Sequence, residues 1–138
     1  MNIILCLDNN NGLMFNNRRQ SQDKNLRKNI KELIKNSILH MNNYSYNLYK
    51  DIDVNNIIVS DNFLDDFNKN DYYLVENTPL VPYYNKIDQI IIYRWNRDYP
   101  HDFCFDENFL NDNFKLIEPI SFKGTSHDII TRDIFRRI

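Results

Sequence analysis

The chain has 138 residues, with 17 Lys and Arg against 19 Asp and Glu, a net charge of -2 and a pI near 5.9. That balance argues against a protein that coats duplex nucleic acid, because such affinity comes from neutralising phosphates. The lack of any apolar run of about 18 residues argues against a membrane span. Hydrophobic residues at 42% and aromatics at 14% are enough to fill one core, so a single domain over residues 1–138 is predicted. The mean hydropathy of -0.62 reflects heavy use of Asn, Lys and Asp. Cys6 and Cys104 have no framework spacing. They read as free thiols in a reducing cytoplasm, and no charged-then-apolar leader precedes the first strand.

In chain order, Asn2 to Leu7 is a short apolar run ended by Asp8-Asn9-Asn10-Asn11-Gly12, which predicts a buried strand and a turn. Gly12 to Asp23 reads as the loop leaving that strand. In open α/β sheets, ligands bind outside the carboxyl ends of strands, where this loop lies. Leu26, Ile30, Leu33 and Ile34 then recur at helical spacing, predicting an amphipathic helix over Asp23 to Asn36 with Ser21 or Asp23 as N-cap.

Ser37 to Met41, Asn56 to Ser60 and Tyr72 to Val75 predict three further strands, and Gln89 to Trp95 predicts a fifth. Between them, Tyr44 to Tyr49 reads as a short helix and Phe63 to Phe67 as a helical turn. Thr78-Pro79 reads as a helix start. Strands alternating with helices imply right-handed crossovers and a mainly parallel sheet. The tail departs from this alternation. Phe114 to Ile120 and His127 to Phe135, joined through Lys123-Gly124-Thr125, predict an antiparallel hairpin.

The order of these landmarks resembles dihydrofolate reductase over essentially the whole chain. Asp8 and Gly12 match that family's Asp-x-x-x-Gly start. Met41-Asn42-Asn43-Tyr44-Ser45-Tyr46 is similar to its Met-Gly-Arg-Lys-Thr-Tyr turn, and Asn56 to Ser60 to its Asn-Val-Val-Leu-Ser/Thr strand. Tyr99 to Phe105 is similar to its Gly-Asp-x-x-Phe-Pro segment. The resemblance implies an α/β fold with a mixed, mainly parallel sheet flanked by helices. It also implies that Asp23 stands at the family's substrate-contacting acid.

The departures from the family pattern are concentrated at the cofactor. Leu-Pro-Trp is replaced by Arg18-Arg19-Gln20-Ser21, turning an apolar lip cationic. The family's Gly-Gly falls at Glu76-Asn77 and its Gly-Arg at Asn42-Asn43, with Ser45 keeping the hydroxyl. Asp61 stands where a cation or hydroxyl usually meets the 2′-phosphate. These five residues argue against NADPH, since like charges near 4 Å repel by roughly 4 kcal/mol at an effective dielectric near 20. No cofactor is expected.

The leading expectation is therefore a small-ligand-binding protein that recognises a phosphorylated or nucleotide-like molecule through Arg18, Arg19, Gln20 and Ser21, with Ser45 nearby. Guanidinium forks suit phosphates, and a following helix start adds amide donors. Against this stands pairing of the arginines with Asp8, Asp23 or Glu76. Asp23 reads either as an acid/base or as a cap. Asn96 and Arg97, with Trp95, Tyr93 and Tyr99, would read a flat ligand at the end of the fifth strand, unless those aromatics are core.

Ser126-His127-Asp128 has hydrolase letters, but consecutive strand residues face opposite ways and cannot form a relay among themselves. His101, Asp102, Cys104 and Asp106 lack metal-site spacing, and His40 reads as a core histidine. Two alternatives remain open. One is an NAD(P)H-dependent reductase of a pterin- or pyrimidine-like substrate. The other is a protein-interaction module using Tyr44, Tyr46, Tyr49, Tyr83 and Tyr84.

Overall fold

The computed structural model describes residues 1–52 and 55–138. Its centre is strand β1 (Asn2–Leu7), parallel on one side to β6 (Tyr72–Leu74) and on the other to β7 (Gln89–Arg94). Beyond β6 lie β4 (Leu39–Met41) and β5 (Ile57–Val59), both parallel. Beyond β7 lie β10 (Ile130–Arg137) and β9 (Phe114–Phe122), both antiparallel to their neighbours. The seven-stranded order is β5-β4-β6-β1-β7-β10-β9. This is the mixed, mainly parallel sheet with a C-terminal antiparallel hairpin that the sequence predicts.

Both faces of the sheet are covered, which is why β1 is apolar at consecutive positions and does not alternate. Ile4 and Ile91 pack with Leu26, Ile30 and Ile34 of helix α1 (Lys24–Ile34). Those three helix residues are at most 1% exposed, and burying each stabilises by about 1.5–3 kcal/mol. Ile3, Leu5 and Ile92 face the other way, onto Phe63, Phe105 and Phe114. A short helix α2 (Asn43–Tyr49) follows β4, capped by the Asn42 side chain, which accepts from Ser45 N–H at 3.0 Å.

Gly12 to Asp23 is not the irregular loop expected from its polar residues. It holds β2 (Gly12–Phe15) and β3 (Arg18–Arg19), and β2 pairs with β3 on one side and β8 (Phe103–Cys104) on the other as a second, three-stranded sheet. The turn residues Asn16 and Asn17 have φ of 51° and 61°. Two left-handed central residues are what a two-residue type I′ hairpin needs, and Asn tolerates that region.

Two other expectations are corrected, and a third helix falls where no element was predicted. Thr78 caps no helix: a 3-10 turn runs over Val81–Lys86 after Leu80, with Pro82 in its first turn, where a missing N–H costs nothing. His127 lies ahead of β10 and not in it, because its ring is drawn inward to Asp23. The stretch after Phe105 forms helix α3 (Glu107–Asn113), capped by Asp106, which accepts from Asn108 N–H at 2.9 Å.

Candidate functional site

The β2–β3 hairpin walls an open cleft of about 520 Å³ whose lining includes Phe15, Asn16, Arg18, Gln20, Tyr99 and Pro100. Strand alternation sorts the two arginines. Arg19 is paired across the hairpin with buried Met14, and Arg18 with Phe15, which is 40% exposed. Phe15 and Arg18 thus share the solvent side of the hairpin and stand together at the cleft, and Arg18 has no ion-pair partner among the described residues.

Arg19 also borders the cleft, but its charge is committed inward. Its Nε donates to Glu76 Oε2 at 2.9 Å and its Nη2 to Glu76 Oε1 at 3.1 Å, a bidentate pair. The guanidinium also lies over the Tyr44 ring at 4.6 Å, while Arg19 N–H donates to the Tyr44 hydroxyl. Burial alone would lower the Arg19 pKa, but the Glu76 carboxylate more than offsets this and raises it. The Glu76 carboxylate accepts a third hydrogen bond, at Oε1, from the fully buried Ser45 hydroxyl at 2.8 Å.

Arg19, Glu76 and Ser45 together fill the space at the ends of β1 and β6. What is left beside Cys6, Leu13, Gln20, Ser21 and Trp95 is a void of about 10 Å³, the room of one water at most. The flanking amides tie to one another: Asn42 Nδ2 donates to Asn77 Oδ1 at 2.8 Å and Asn43 Nδ2 to Asp61 Oδ1 at 3.0 Å.

Gln20 is held by its amide nitrogen, which donates to Asp8 Oδ2 at 2.9 Å and to the Pro100 carbonyl at 3.3 Å. Its buried Oε1 has no partner among the described residues. Asp8 is fully buried and also accepts from the N–H groups of Gly12, Asn10 and Tyr99. Burial would raise its pKa, but these hydrogen bonds outweigh burial and hold the carboxyl below its usual range. Asp8 therefore fastens three chain segments that frame the cleft.

Asp23 is the second anchor. Its Oδ1 accepts from Asn25, Leu26 and Thr125 N–H, and its Oδ2 from Ser126 N–H at 2.8 Å and His127 Nδ1 at 3.0 Å. With five donors and 1% exposure, the carboxylate has no free lone pair for a ligand's ring. It caps α1 and pins the β9–β10 turn to that helix. Beyond it, His127 Nε2 meets Ser21 Oγ and Tyr99 OH, each at 3.0 Å, and Trp95 stacks on the imidazole at 4.7 Å.

A Cβ at Gly124 would lie 2.5 Å from the His127 carbonyl and 2.7 Å from Asp23 Oδ2. Gly124→Ala is accordingly expected to cost about 1–3 kcal/mol, read as a lower urea midpoint, with the turn pushed off Asp23.

The remaining expected site residues lie apart from the cleft. Asn96, at φ 58°, spends its amide on the Ile129 carbonyl and Thr131 Oγ1, fixing the start of β10. Arg97 is exposed, and its carbonyl accepts from Asn9 N–H. Tyr93 and Trp95 are core. The tyrosines named for a protein-interaction module are mostly not exposed: Tyr49 is buried, and Tyr44, Tyr83 and Tyr84 pack against the core, leaving Tyr46 at 38% exposure. Cys6 and Cys104 are free thiols, and burial pushes the Cys6 thiol up to about 12. Among the described residues no three His, Cys, Asp or Glu side chains converge as a metal site, and no helix is long and apolar enough to cross a membrane. Sequence reasoning missed the part played by His127, since its partners are 104 and 106 positions away.

No protein-family model and no curated protein matches the chain. Among solved structures it is similar to dihydrofolate reductase from Enterococcus faecalis complexed with NADP(H) and RAB-propyl. The likeness has a TM-score of 0.68 at 10% identity and covers 99% of this chain and 95% of that one. At that identity the likeness speaks for the fold and not for the activity: the chain is built on the dihydrofolate reductase fold, with the cleft and the Arg19–Glu76 plug at the carboxyl ends of its central strands.

Proposed function

We propose that the protein binds a small anionic, nucleotide-like molecule in the cleft beside the β2–β3 hairpin. The observation that carries this reading is the pairing of an uncommitted guanidinium with an exposed aromatic face, Arg18 beside Phe15, on one wall of a cleft of about 520 Å³. That volume lies within the range common for small-molecule sites. Arg18 suits a phosphate and Phe15 a flat ring.

We further infer that the molecule is not a nicotinamide dinucleotide. The residues present fit one poorly: a buried carboxylate, Glu76, stands where the family's pyrophosphate glycines would be, and the adjoining void is about 10 Å³. The same packing weighs against the pterin reductase reading, as does the saturation of Asp23 by five donors.

Calorimetric titration with inorganic phosphate, pyrophosphate and nucleoside mono- and diphosphates tests the proposal. Binding at micromolar to millimolar concentration is expected, strongest for a ligand carrying both base and phosphate. Arg18→Ala removes one charge-assisted contact of about 1.5–3 kcal/mol, so affinity should fall roughly 10- to 100-fold. Equal affinity in the variant, or no heat with any of these ligands at millimolar concentration, would sink the reading.

A further inference from the structure

We propose that Ser21, His127 and Asp23 form a nucleophilic relay that hydrolyses esters of small acyl groups, with Ser21 as nucleophile, His127 as its base and Asp23 as the positioning residue. This reaches beyond ligand binding in the neighbouring cleft and does not depend on it, since none of the three residues needs Arg18.

The geometry is that of an acyl-transfer site assembled from two chain segments far apart in sequence. Ser21 lies between β3 and α1, Asp23 caps α1, and His127 comes from the β9–β10 turn. His127 Nδ1 is 3.0 Å from Asp23 Oδ2, and His127 Nε2 is 3.0 Å from Ser21 Oγ. A base within hydrogen-bond reach of a hydroxyl, itself oriented by a buried acceptor, is the arrangement that activates serine.

Asp23 also accepts four backbone N–H groups, which hold it ionised and fix its orientation. An ionised acceptor at Nδ1 selects the tautomer with its proton there, leaving the Nε2 lone pair to face Ser21. The Trp95 indole, stacked at 27° to the imidazole, stops the ring from turning away.

Tyr99 completes the set. Its hydroxyl is 3.0 Å from His127 Nε2 and donates toward Ser21 Oγ at 3.5 Å. The Tyr99 and Ser21 hydroxyls share the single Nε2 acceptor, and Ser21 holds it when Tyr99 donates to Ser21 Oγ.

Substrate size follows from the space around Ser21. On one side it borders the void of about 10 Å³, which takes nothing bigger than the terminal methyl of an acetyl group and leaves no space for a longer acyl chain. On the other side, Gln20 and Tyr99 open onto the wide cleft, where the alcohol portion would lie.

In the first half-reaction Ser21 Oγ bonds to the ester carbonyl carbon while its proton passes to His127 Nε2. The carbon–oxygen bond to the alcohol then breaks, and the departing oxygen takes that proton. In the second, a water oxygen bonds to the acyl carbon and gives a proton to His127. Ser21 Oγ leaves and recovers that proton, so the net change is ester plus water to alcohol plus acid, with no oxidant or reductant.

The test is release of p-nitrophenolate from p-nitrophenyl acetate and p-nitrophenyl butyrate by the full chain, with acid quench and peptide mapping of any acetyl group. The expected result is acetyl on Ser21, acetate turned over at least about tenfold faster than butyrate, and a fall of at least about 100-fold in Ser21→Ala and His127→Gln. Ser21→Ala removes one oxygen from a half-buried side chain, and its unchanged thermal midpoint serves as the check on folding. A Ser21→Ala rate within threefold of the parent, or acetyl mapped to His127 or Tyr99, overturns the relay. Equal rates on the two esters overturn the acyl-size assignment.

Discussion

Asp23→Ala is expected to destabilise the protein by about 3 kcal/mol. Loss of an N-cap acceptor alone costs roughly 1 kcal/mol, here the bonds from Asn25 and Leu26 N–H. Thr125 and Ser126 are exposed and their N–H groups can turn to water. His127, 4% exposed beneath Trp95, cannot, and a buried donor left without an acceptor costs about 1–3 kcal/mol. Urea unfolding checks this through a lower midpoint at unchanged slope. The same carboxylate sets an acid dependence. Burial alone would raise its pKa, but the N–H groups of Thr125 and Ser126, His127 and Leu26 N–H outweigh burial and hold it at about 2, against an ordinary 3.8. A depressed folded-state value means that the stabilisation is fully present above about pH 4 and is lost as pH falls toward 2. One pKa unit is worth about 1.4 kcal/mol, so close to 2 kcal/mol should disappear across that window in the parent and not in Asp23→Ala. A stability gap between the two proteins that stays constant from pH 5 to pH 2 would contradict this assignment.

The parts of the molecule that were readable in the sequence are those governed by local pattern. β1, α1 and β7 are apolar runs or helical stripes whose periodicity reports the face they bury. Their order was enough to indicate the sheet and its antiparallel edge. The β2–β3 hairpin was hidden because its signals are polar. Asn16-Asn17 looks like one more Asn pair in an Asn-rich chain, although both residues adopt the positive φ that a tight hairpin needs. α3 was hidden for a related reason: Asp106 and Glu107 are an ordinary helix start, but only Phe109 and Leu110 are buried, too few to show a period.

Within the site, the loop itself could be picked out as chemically dense, whereas the division of labour in it could not. Arg18 and Arg19 are adjacent and identical in type. Only the strand geometry sends one to Glu76 and leaves the other at the cleft. Asp23 was recognisable as a cap because capping is local, while its contact with His127 spans 104 positions and leaves no trace in spacing. The relay through Ser21 lies beyond motif reading for the same reason. The letters that invited attention, Ser126-His127-Asp128, contribute His127 to it and, from Ser126, only a backbone N–H to Asp23.

Glu76 offers the sharpest test of whether the cleft was turned into an anion site at the expense of its deeper end. Glu76→Ala is expected to cost about 2–3 kcal/mol, because the fully buried Ser45 hydroxyl loses its acceptor and the half-buried Arg19 loses its counter-charge. The cost stays below that of a fully enclosed pair, since the Arg19 side chain is 23% exposed and can draw on water. Glu76→Gln keeps an acceptor for Ser45 and should cost about 1 kcal/mol. Its consequence for binding runs the other way. With the carboxylate neutralised, Arg19, which already borders the cleft, becomes a second uncommitted cation beside Arg18. Removing a counter-charge near 4 Å changes the local electrostatic energy by up to about 4 kcal/mol at an effective dielectric near 20, and a third of that is already tenfold in affinity. Pyrophosphate is therefore expected to bind Glu76→Gln about tenfold more tightly than the parent, measured by calorimetry at low ionic strength, with the gain shrinking as salt is raised. Unchanged affinity in a folded Glu76→Gln protein would mean that Arg19 cannot turn outward, and that Arg18 alone carries the charge of the cleft.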